Sequence, residues 1–139
     1  MVTQDKIKIG IKVLRLDHLV LTVSDIEATE AFYRRVMGMT PVVFGRGRHA
    51  LAFGNQKINL HQTGSEFPLR ASKPLPGSAD LCFLIETPLD EAIQHLEREG
   101  IPLVEGPVQK TGAKGLLMSI YFRDPDGNLI ELSNEVGAS

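Results

Sequence analysis

Residues 16–23, LDHLVLTV, alternate between apolar and mixed side chains, and this period of two predicts a β-strand. Apolar residues then recur at helical spacing over 26–37, which predicts an amphipathic helix. Ser24 and Glu27 have the spacing of a capping box, so Ser24 is the expected N-cap, and Gly38 is the expected left-handed residue after the helix. Three short strands separated by glycine turns are predicted next, near residues 40–45, 48–53 and 56–62.

A second unit of the same kind follows a segment rich in Gly, Pro and Ser at residues 63–78. Strand 79–86, ADLCFLIE, precedes a helix that we expect Thr87 to cap, Pro88 to start and Gly100 to end. Three further strands are predicted near residues 102–108, 116–123 and 128–134, with a flexible loop, QKTGAKG, at 109–115.

The two units are related by an internal duplication. The segment MGMTPVV is similar to EGIPLVE, and aligning the two places His18 opposite Asp80. Matching KINL with LIEL in the final strands places Asn59 opposite Glu131. The predicted fold class is therefore α+β, with two tandem βαβββ modules forming a shared, partly closed mixed sheet around a cleft. The predicted boundaries are an N-terminal arm at 1–13, a first module at 14–62, a linker at 63–78 and a second module at 79–135.

The last predicted strand carries a carboxylate, Glu131, between apolar neighbours, which is costly unless the group is paired, solvated or bound to a metal. Strand alternation turns His18, Asn59, His61, Asp80 and Glu131 toward one common concavity. A lone histidine or asparagine is more often a core residue, but a set on equivalent strands of a duplication favours a site. Imidazoles and carboxylates suit a divalent ion such as Zn, Ni, Mn, Co or Fe. Glu131 would be a ligand, a proton-transferring base, or both in turn.

The sequence also predicts the role or the position of five other residues. Lys110, Lys114 and Arg123 either bind an anionic substrate group or belong to a solvated surface, and the sequence leaves both open. Cys82 lies in the apolar run LCFLI and is expected to be a small buried hydrophobe. His95 is expected on the exposed side of the second helix.

The charge and composition of the chain argue against a nucleic acid or a membrane as its partner. The net charge of −2 lacks the basic excess of a nucleic-acid-binding protein, and no polybasic run favours a membrane surface. The N-terminal residues lack a signal-peptide core, and no stretch is long enough to span a bilayer. A single cysteine excludes an internal disulfide, so the expected compartment is the reducing cytoplasm. The expected partner is a small-molecule substrate.

The stretches LDHLVLTV, EAFYRRVMGM and YFRDPDGNLIELSN resemble the vicinal oxygen chelate superfamily, which includes glyoxalases, bleomycin-resistance proteins and dioxygenases, over residues 14–135. KINLHQ and PLPGSADLCFLIE resemble the small glyoxalase domain-containing proteins of that superfamily. The resemblance implies metal ligands at His18 and Glu131, with Asp80 where many members have histidine and Asn59 where many have Glu or Gln. It leaves open whether His61 replaces Asn59 as a ligand, and it implies a homodimer.

Three functions are compatible with these features. The first is a metal-dependent lyase or isomerase of the glyoxalase type, acting on a small oxygenated substrate by two-oxygen chelation and proton transfer through Glu131. The second is a non-haem Fe(II) dioxygenase-like enzyme with His18, His61 and Glu131 as ligands. The third is a non-catalytic binding or resistance protein for a small molecule.

Overall fold

The computed structural model describes residues 10–137 of the chain, so residues 1–9 of the expected N-terminal arm lie outside it. Strands and helices follow the predicted order. They are β1 (His18–Val23), α1 (Ile26–Met37), β2 (Thr40–Phe44), β3 (Arg48–Phe53), β4 (Gln56–Gln62), β5 (Asp80–Leu84), α2 (Leu89–Arg98), β6 (Glu105–Thr111), β7 (Leu116–Arg123) and β8 (Leu129–Gly137). Residues 63–79, between β4 and β5, contain neither a helix nor a strand.

The eight strands form two four-stranded sheets with the same topology. Their strand orders are β1-β4-β3-β2 and β5-β8-β7-β6. In each sheet the first strand of the module pairs in parallel with the last, and the remaining pairs are antiparallel. The α+β class and the tandem βαβββ organisation are confirmed, with the strands divided between two sheets.

The residues next to helix α1 determine where it begins and ends, but the predicted N-cap is wrong by one residue. Its N-cap is Asp25, whose Oδ1 accepts a hydrogen bond from the backbone N–H of Ala28 at 3.1 Å. Ser24 is therefore not the cap, because the carboxylate of the next residue fills that role. Gly38 ends the helix with a φ of 67°, as predicted, and this left-handed conformation suits glycine.

A side chain of β8, which is distant in sequence, supplies the hydrogen bonds at the start of helix α2. Thr87 does not cap it, and Pro88 occupies the cap position without a side-chain hydrogen bond. Instead, Asn134 of β8 accepts a hydrogen bond from the Leu89 N–H at 2.8 Å. The Nδ2 group of Asn134 donates to the carbonyls of Ile85 and Thr87. The start of α2 is thus tied to the last strand of its own module.

Strand β6 lies three residues later than its predicted range of 102–108. Its pairing with β7 is irregular between Glu105 and Val108, around Gly106 and Pro107. Since proline has no N–H to donate, the ladder resumes only after it. The connecting loop consequently shortens to residues 112–115.

One core serves both modules. It combines the apolar faces of both sheets with both helices, and its fully buried members include Val23, Tyr33, Leu51, Ile120, Phe122 and Ile130. Phe32 of α1 lies against Phe122 of β7 at 6.4 Å between ring centroids, and Phe53 lies against Phe83 at 5.5 Å. The modules therefore pack through their apolar sides.

Polar contacts cross the same boundary. The buried Tyr33 hydroxyl donates to Asp124 Oδ2 at 2.6 Å, and burial together with the Asp124 charge raises the pKa of Tyr33 far above its usual value. Arg35 pairs with Glu99 at 2.6 Å. His95 is half-buried rather than exposed, since its Nε2 lies 3.0 Å from the Val36 carbonyl of the other helix.

Neither helix within residues 10–137 is long and apolar enough to cross a membrane.

Candidate functional site

Each sheet has an apolar face in the core and a polar face that points away from it, because side chains alternate along a strand. Polar face 1, on the first sheet, consists of His18, Val20, Thr22, Phe44, Arg48, Lys57, Asn59 and His61. Polar face 2, on the second sheet, consists of Asp80, Cys82, Leu84, Ser119, Tyr121, Glu131 and Ser133.

Strand register identifies the equivalent positions on the two polar faces. Val20 pairs with Asn59 across β1 and β4, and Cys82 pairs with Glu131 across β5 and β8. Val20 lies two residues after His18, as Cys82 lies two residues after Asp80. Asn59 is thus the structural counterpart of Glu131. His61, two residues further along β4, is the counterpart of Ser133.

His18 is exposed at the start of β1. Its Nδ1 lies 2.9 Å from Asp17 Oδ2, within hydrogen-bond distance. When Nδ1 carries the proton and donates to Asp17, the lone pair of Nε2 is available to a ligand. Carboxylate partners of this kind orient metal-binding histidines.

Asn59 and His61 are buried on polar face 1, with 5% and 2% of their surfaces exposed. Asn59 Oδ1 and both ring nitrogens of His61 have no hydrogen-bond partner among the described residues. An unpaired buried polar group costs about 1–3 kcal/mol, so a ligand that satisfies these atoms would stabilise the site. Burial and the neighbouring Arg48 charge lower the pKa of His61, which favours a neutral imidazole.

Glu131 lies at a cavity of about 510 Å³ on polar face 2. Cys82 and Tyr121 line it beside Glu131, and Lys110 and Lys114 reach it from β6 and the following loop. The cavity therefore brings a carboxylate, a phenol and two ammonium groups together.

Hydroxyl groups orient the Glu131 side chain. Ser133 Oγ donates to Glu131 Oε2 at 3.3 Å and lies 2.7 Å from the buried Ser119 Oγ. Tyr121 pairs with Glu131 across β7 and β8, and burial together with the Glu131 carboxylate raises the pKa of Tyr121 to about 12. Tyr121 thus stays protonated at neutral pH.

Cys82 is exposed on polar face 2, so the expectation that it is a buried hydrophobe was wrong. Its side chain points away from the core because Leu81 and Phe83, on either side, point toward it. The thiol lies 3.3 Å from Ser133 Oγ. Partial burial and the nearby Glu131 charge raise the pKa of Cys82, which keeps the thiol protonated.

Asp80 and Arg123 lie apart from this cavity. Asp80 is exposed at the start of β5, where it pairs with Leu129, and it does not line the cavity. Arg123 is at the opposite end of β7 from the lysine loop, and its Nη1 donates to the Gly127 carbonyl at 3.3 Å. Of the three cations considered from sequence, the structure brings Lys110 and Lys114 to Glu131 and leaves Arg123 elsewhere.

The common concavity expected from sequence does not form within one chain. No group of three or more His, Cys, Asp or Glu side chains among residues 10–137 is placed to hold a metal ion. The cavity at Glu131 includes no residue of the first module. The physical reason is that both apolar faces turn toward a single core, which directs the two polar faces away from each other.

The donor set nevertheless has the chemistry of a nitrogen and oxygen metal site. His18 is oriented by a carboxylate, and Asn59 Oδ1 is buried without a partner. Glu131 accepts a hydrogen bond from the Ser133 hydroxyl, and ligand carboxylates are commonly hydrogen-bonded in this way. These residues fit a divalent ion provided that the two polar faces meet.

Sequence reasoning missed several members of these faces, among them Tyr121 and Arg48. A signal for Tyr121 was present, since Ser119 and Tyr121 alternate with the buried Ile120 and Phe122. Arg48 gave no such signal because it lies next to a turn, where period-two alternation begins.

Residues 15–132 match the Glyoxalase/Bleomycin resistance protein/Dioxygenase superfamily, and the chain belongs to this superfamily. It is 58% identical over 122 residues to Virulence protein STM3117 of Salmonella typhimurium, covering 88% of this chain and 85% of the relative. It is 56% identical over 124 residues to Glyoxalase domain-containing protein RDO1 of Mycosarcoma maydis, covering 89% and 70%. The crystal structure of STM3117 superposes with a TM-score of 0.89 over 91% of this chain and 100% of that chain.

More distant structures share the fold. Lactoylglutathione lyase from Agrobacterium tumefaciens is 27% identical, with a TM-score of 0.66 over 86% of this chain and 92% of that chain. The fosfomycin resistance protein FosX from Listeria monocytogenes, complexed with Mn(II) and sulfate, is 21% identical, with a TM-score of 0.63 over 90% and 93%.

Proposed function

We propose that the chain is a metal-dependent lyase or isomerase of the glyoxalase type. It binds a small oxygenated substrate through two neighbouring oxygens and moves a proton with Glu131. The observation that carries the proposal is the register equivalence of His18 with Asp80 and of Asn59 with Glu131 on the two polar faces. The likeness to lactoylglutathione lyase, and the Mn(II) present with the more distant FosX, support the same class.

We further propose that the working form is a homodimer, in which polar face 1 of one chain covers polar face 2 of its partner. The charges are complementary, with Lys57 on the first face and Asp80 and Glu131 on the second. Val20 and Leu84, exposed by 44% and 58%, are apolar members of these faces that dimerisation would cover. The exposed Cys82 thiol is compatible with the cytoplasm as the compartment.

His18, Asp80 and Glu131, with Asn59 or His61, would hold the ion, which would act as a Lewis acid on the substrate oxygens. Glu131 would take a proton from the substrate carbon and return it. Ser133 donates a hydrogen bond to its carboxylate, and the Tyr121 phenol, protonated at neutral pH, lies opposite it on the neighbouring strand. Lys110 and Lys114 would attract an anionic part of the substrate to the cavity.

Metal analysis of mixed variants tests both the site and the dimer. His18→Ala and Glu131→Gln should each lose bound metal when purified alone without chelator. If the two polar faces meet across a dimer, mixing the two variants creates one intact site in each mixed dimer. Random mixing should then restore about a quarter of the wild-type metal content, since half of the dimers are mixed and each has one intact site of two.

Full retention of metal in both single variants would exclude this site. Loss in both variants without any recovery on mixing would place all ligands in one chain and exclude the proposed dimer. Lys12→Ala serves as the matched control, because Lys12 is exposed and belongs to neither polar face, and it should retain full metal content.

A binding protein without chemistry is the second candidate. The cavity of about 510 Å³ favours it, because the cavity lies within one chain and requires no metal. Under this function Glu131→Gln would retain ligand binding and no metal-dependent turnover would be found in the wild type.

A further inference from the structure

Arg48 on polar face 1 is a cation without an acidic partner. It forms no ion pair with any residue in 10–137. Its guanidinium carbon lies 4.4 Å from the ring centroid of Phe67 and 5.4 Å from that of Phe44. The two aromatic rings hold the planar guanidinium through cation–π contacts and leave its N–H groups free of a carboxylate.

His61, beside Arg48, is a buried histidine whose polar atoms are unsatisfied. Only 2% of its surface is exposed, and neither ring nitrogen has a hydrogen-bond partner among the described residues. A neutral imidazole always presents one N–H donor and one acceptor. A donor is therefore buried next to an unpaired cation, which is an arrangement suited to an anion.

The nearest acidic side chain does not fill this role. Glu66 and Arg70 are the other charged groups that act on His61. The Glu66 carboxylate accepts a hydrogen bond from the Gly64 N–H at 2.9 Å, and this contact keeps it in its own turn.

We propose that Arg48 and His61 form a binding site for the carboxylate group of a small organic acid. The planar fork of a guanidinium matches the two oxygens of a carboxylate, and the imidazole N–H supplies a third donor. Lys57, whose Nζ lies 3.6 Å from the centroid of the same Phe44 ring, adds a second positive charge that would attract an anion to this face.

Phe67 covers this site. Its ring lies 5.2 Å from the His61 ring, centroid to centroid, at an interplanar angle of 61°. The cavity at Glu131 does not include His61, and only 2% of the His61 surface is exposed beneath this ring. A ligand therefore enters by displacing Phe67, which belongs to the segment without regular structure that follows β4.

The site also specifies a class of substrate, and this step rests on the proposed function with Asn59, rather than His61, as the fourth ligand. Residues two apart along a strand are separated by about 6.6 Å, so His61 lies that far along β4 from Asn59, the counterpart of Glu131. A substrate that reaches both positions would carry a carboxylate at one end and the two chelating oxygens near the other. Small hydroxy or oxo acids have this composition.

An NMR titration with acetate and succinate tests the site directly. Both acids should cause saturable shifts of the backbone amide signals of Arg48, His61 and Phe67. Arg48→Met should weaken binding at least tenfold. Arg48→Lys, which keeps the charge without the fork, should weaken it severalfold. Arg46→Met is the matched control, because Arg46 is an exposed arginine in the adjacent turn, and it should leave the affinity unchanged.

The proposal is overturned if the shifts do not saturate or if Arg48→Met binds as tightly as the wild type. Phosphate or sulfate binding as tightly as succinate would overturn the assignment to a carboxylate. The titration detects binding without metal or turnover, so acetate binding by the wild type and the metal content of the His18→Ala variant are separate readouts. A failed proposed function and a failed carboxylate site are thereby distinguished.

Discussion

In the first sheet, Asn59 pairs with Val20 and lies on the same face as Arg48 and Lys57. In the second sheet, the equivalent Glu131 pairs with Cys82 and lies among hydroxyl groups. The two polar faces thus share a backbone register while one is cationic and the other carries the carboxylates. Polar face 1 also leaves buried atoms unsatisfied, whereas the hydroxyls of polar face 2 are linked to one another.

This difference shows which positions a duplicated fold constrains. The apolar faces must fit one common core, so their side chains remain apolar in both modules. The outward positions have no such packing requirement, and their chemistry has diverged. A site that needs both kinds of chemistry therefore needs both modules.

Truncation of the shared core should have the largest effect on this arrangement. Phe122→Ala removes a fully buried ring that contacts Phe32 of the other module, and we expect a loss of about 3–5 kcal/mol in the free energy of unfolding. Hydrogen exchange should show reduced protection in the strands of both sheets. Leu69→Ala, at a position that is 93% exposed and on neither polar face, is the control and should change stability by less than about 0.5 kcal/mol. Unchanged protection in β1 and β4 would contradict a shared core.

Removal of the buried hydroxyl at the module boundary should have a smaller, pH-dependent effect. Tyr33→Phe deprives Asp124 of a donor, so we expect a loss of about 1–3 kcal/mol at neutral pH. The pKa of Tyr33 is raised in the folded protein, whereas the unfolded phenol titrates near 10. The stabilisation is therefore complete below about pH 10, and above it the difference between wild type and variant should shrink by about 1.4 kcal/mol per pH unit.

Denaturant unfolding of both proteins across this pH range measures the Tyr33 effect. Because Tyr121 is present in both, its own titration cancels in the difference. Parallel stability curves above pH 10 would show that the Tyr33 hydroxyl does not stay protonated in the folded state.

The smallest expected effects are the stability losses on removing the side chains that cap the two helices. Asn134 makes three hydrogen bonds at the start of α2, whereas Asp25 makes one side-chain bond at the start of α1. We expect Asn134→Ala to cost about 2 kcal/mol and Asp25→Ala about 1 kcal/mol in thermal or chemical unfolding. A larger loss for Asp25→Ala would contradict the difference between a cap supplied by a strand and a local cap.

Much of the fold was predictable because periodicity and glycine turns are local signals. The predicted end of α1 at Gly38 and the three strands after it agree closely with the structure. The start of β6 was not predictable, since it depends on how Pro107 interrupts pairing with β7. The face on which Cys82 and Glu131 lie followed from alternation, but the exposure of Cys82 depends on what covers that face.

For the candidate site too, features set by neighbouring residues were predictable from the sequence, and features set by contacts between distant residues were not. Alternation identified His18, Asn59, His61, Asp80 and Glu131 as members of polar faces, and the strand register agrees. Alternation alone does not reveal which way each sheet faces, and that depends on core packing between residues far apart in sequence. The contact of His95 with Val36 escaped prediction for the same reason.

The position of β8 has a consequence for the order in which the chain is assembled during synthesis. This strand is the last in sequence but lies between β5 and β7 in its sheet. A nascent chain that has emerged only as far as Arg123 holds an isolated strand and a hairpin, with unpaired edges facing a gap. Polar face 2 therefore exists only after the final residues of β8 have left the ribosome, whereas every strand of the first sheet is available once Gln62 has emerged.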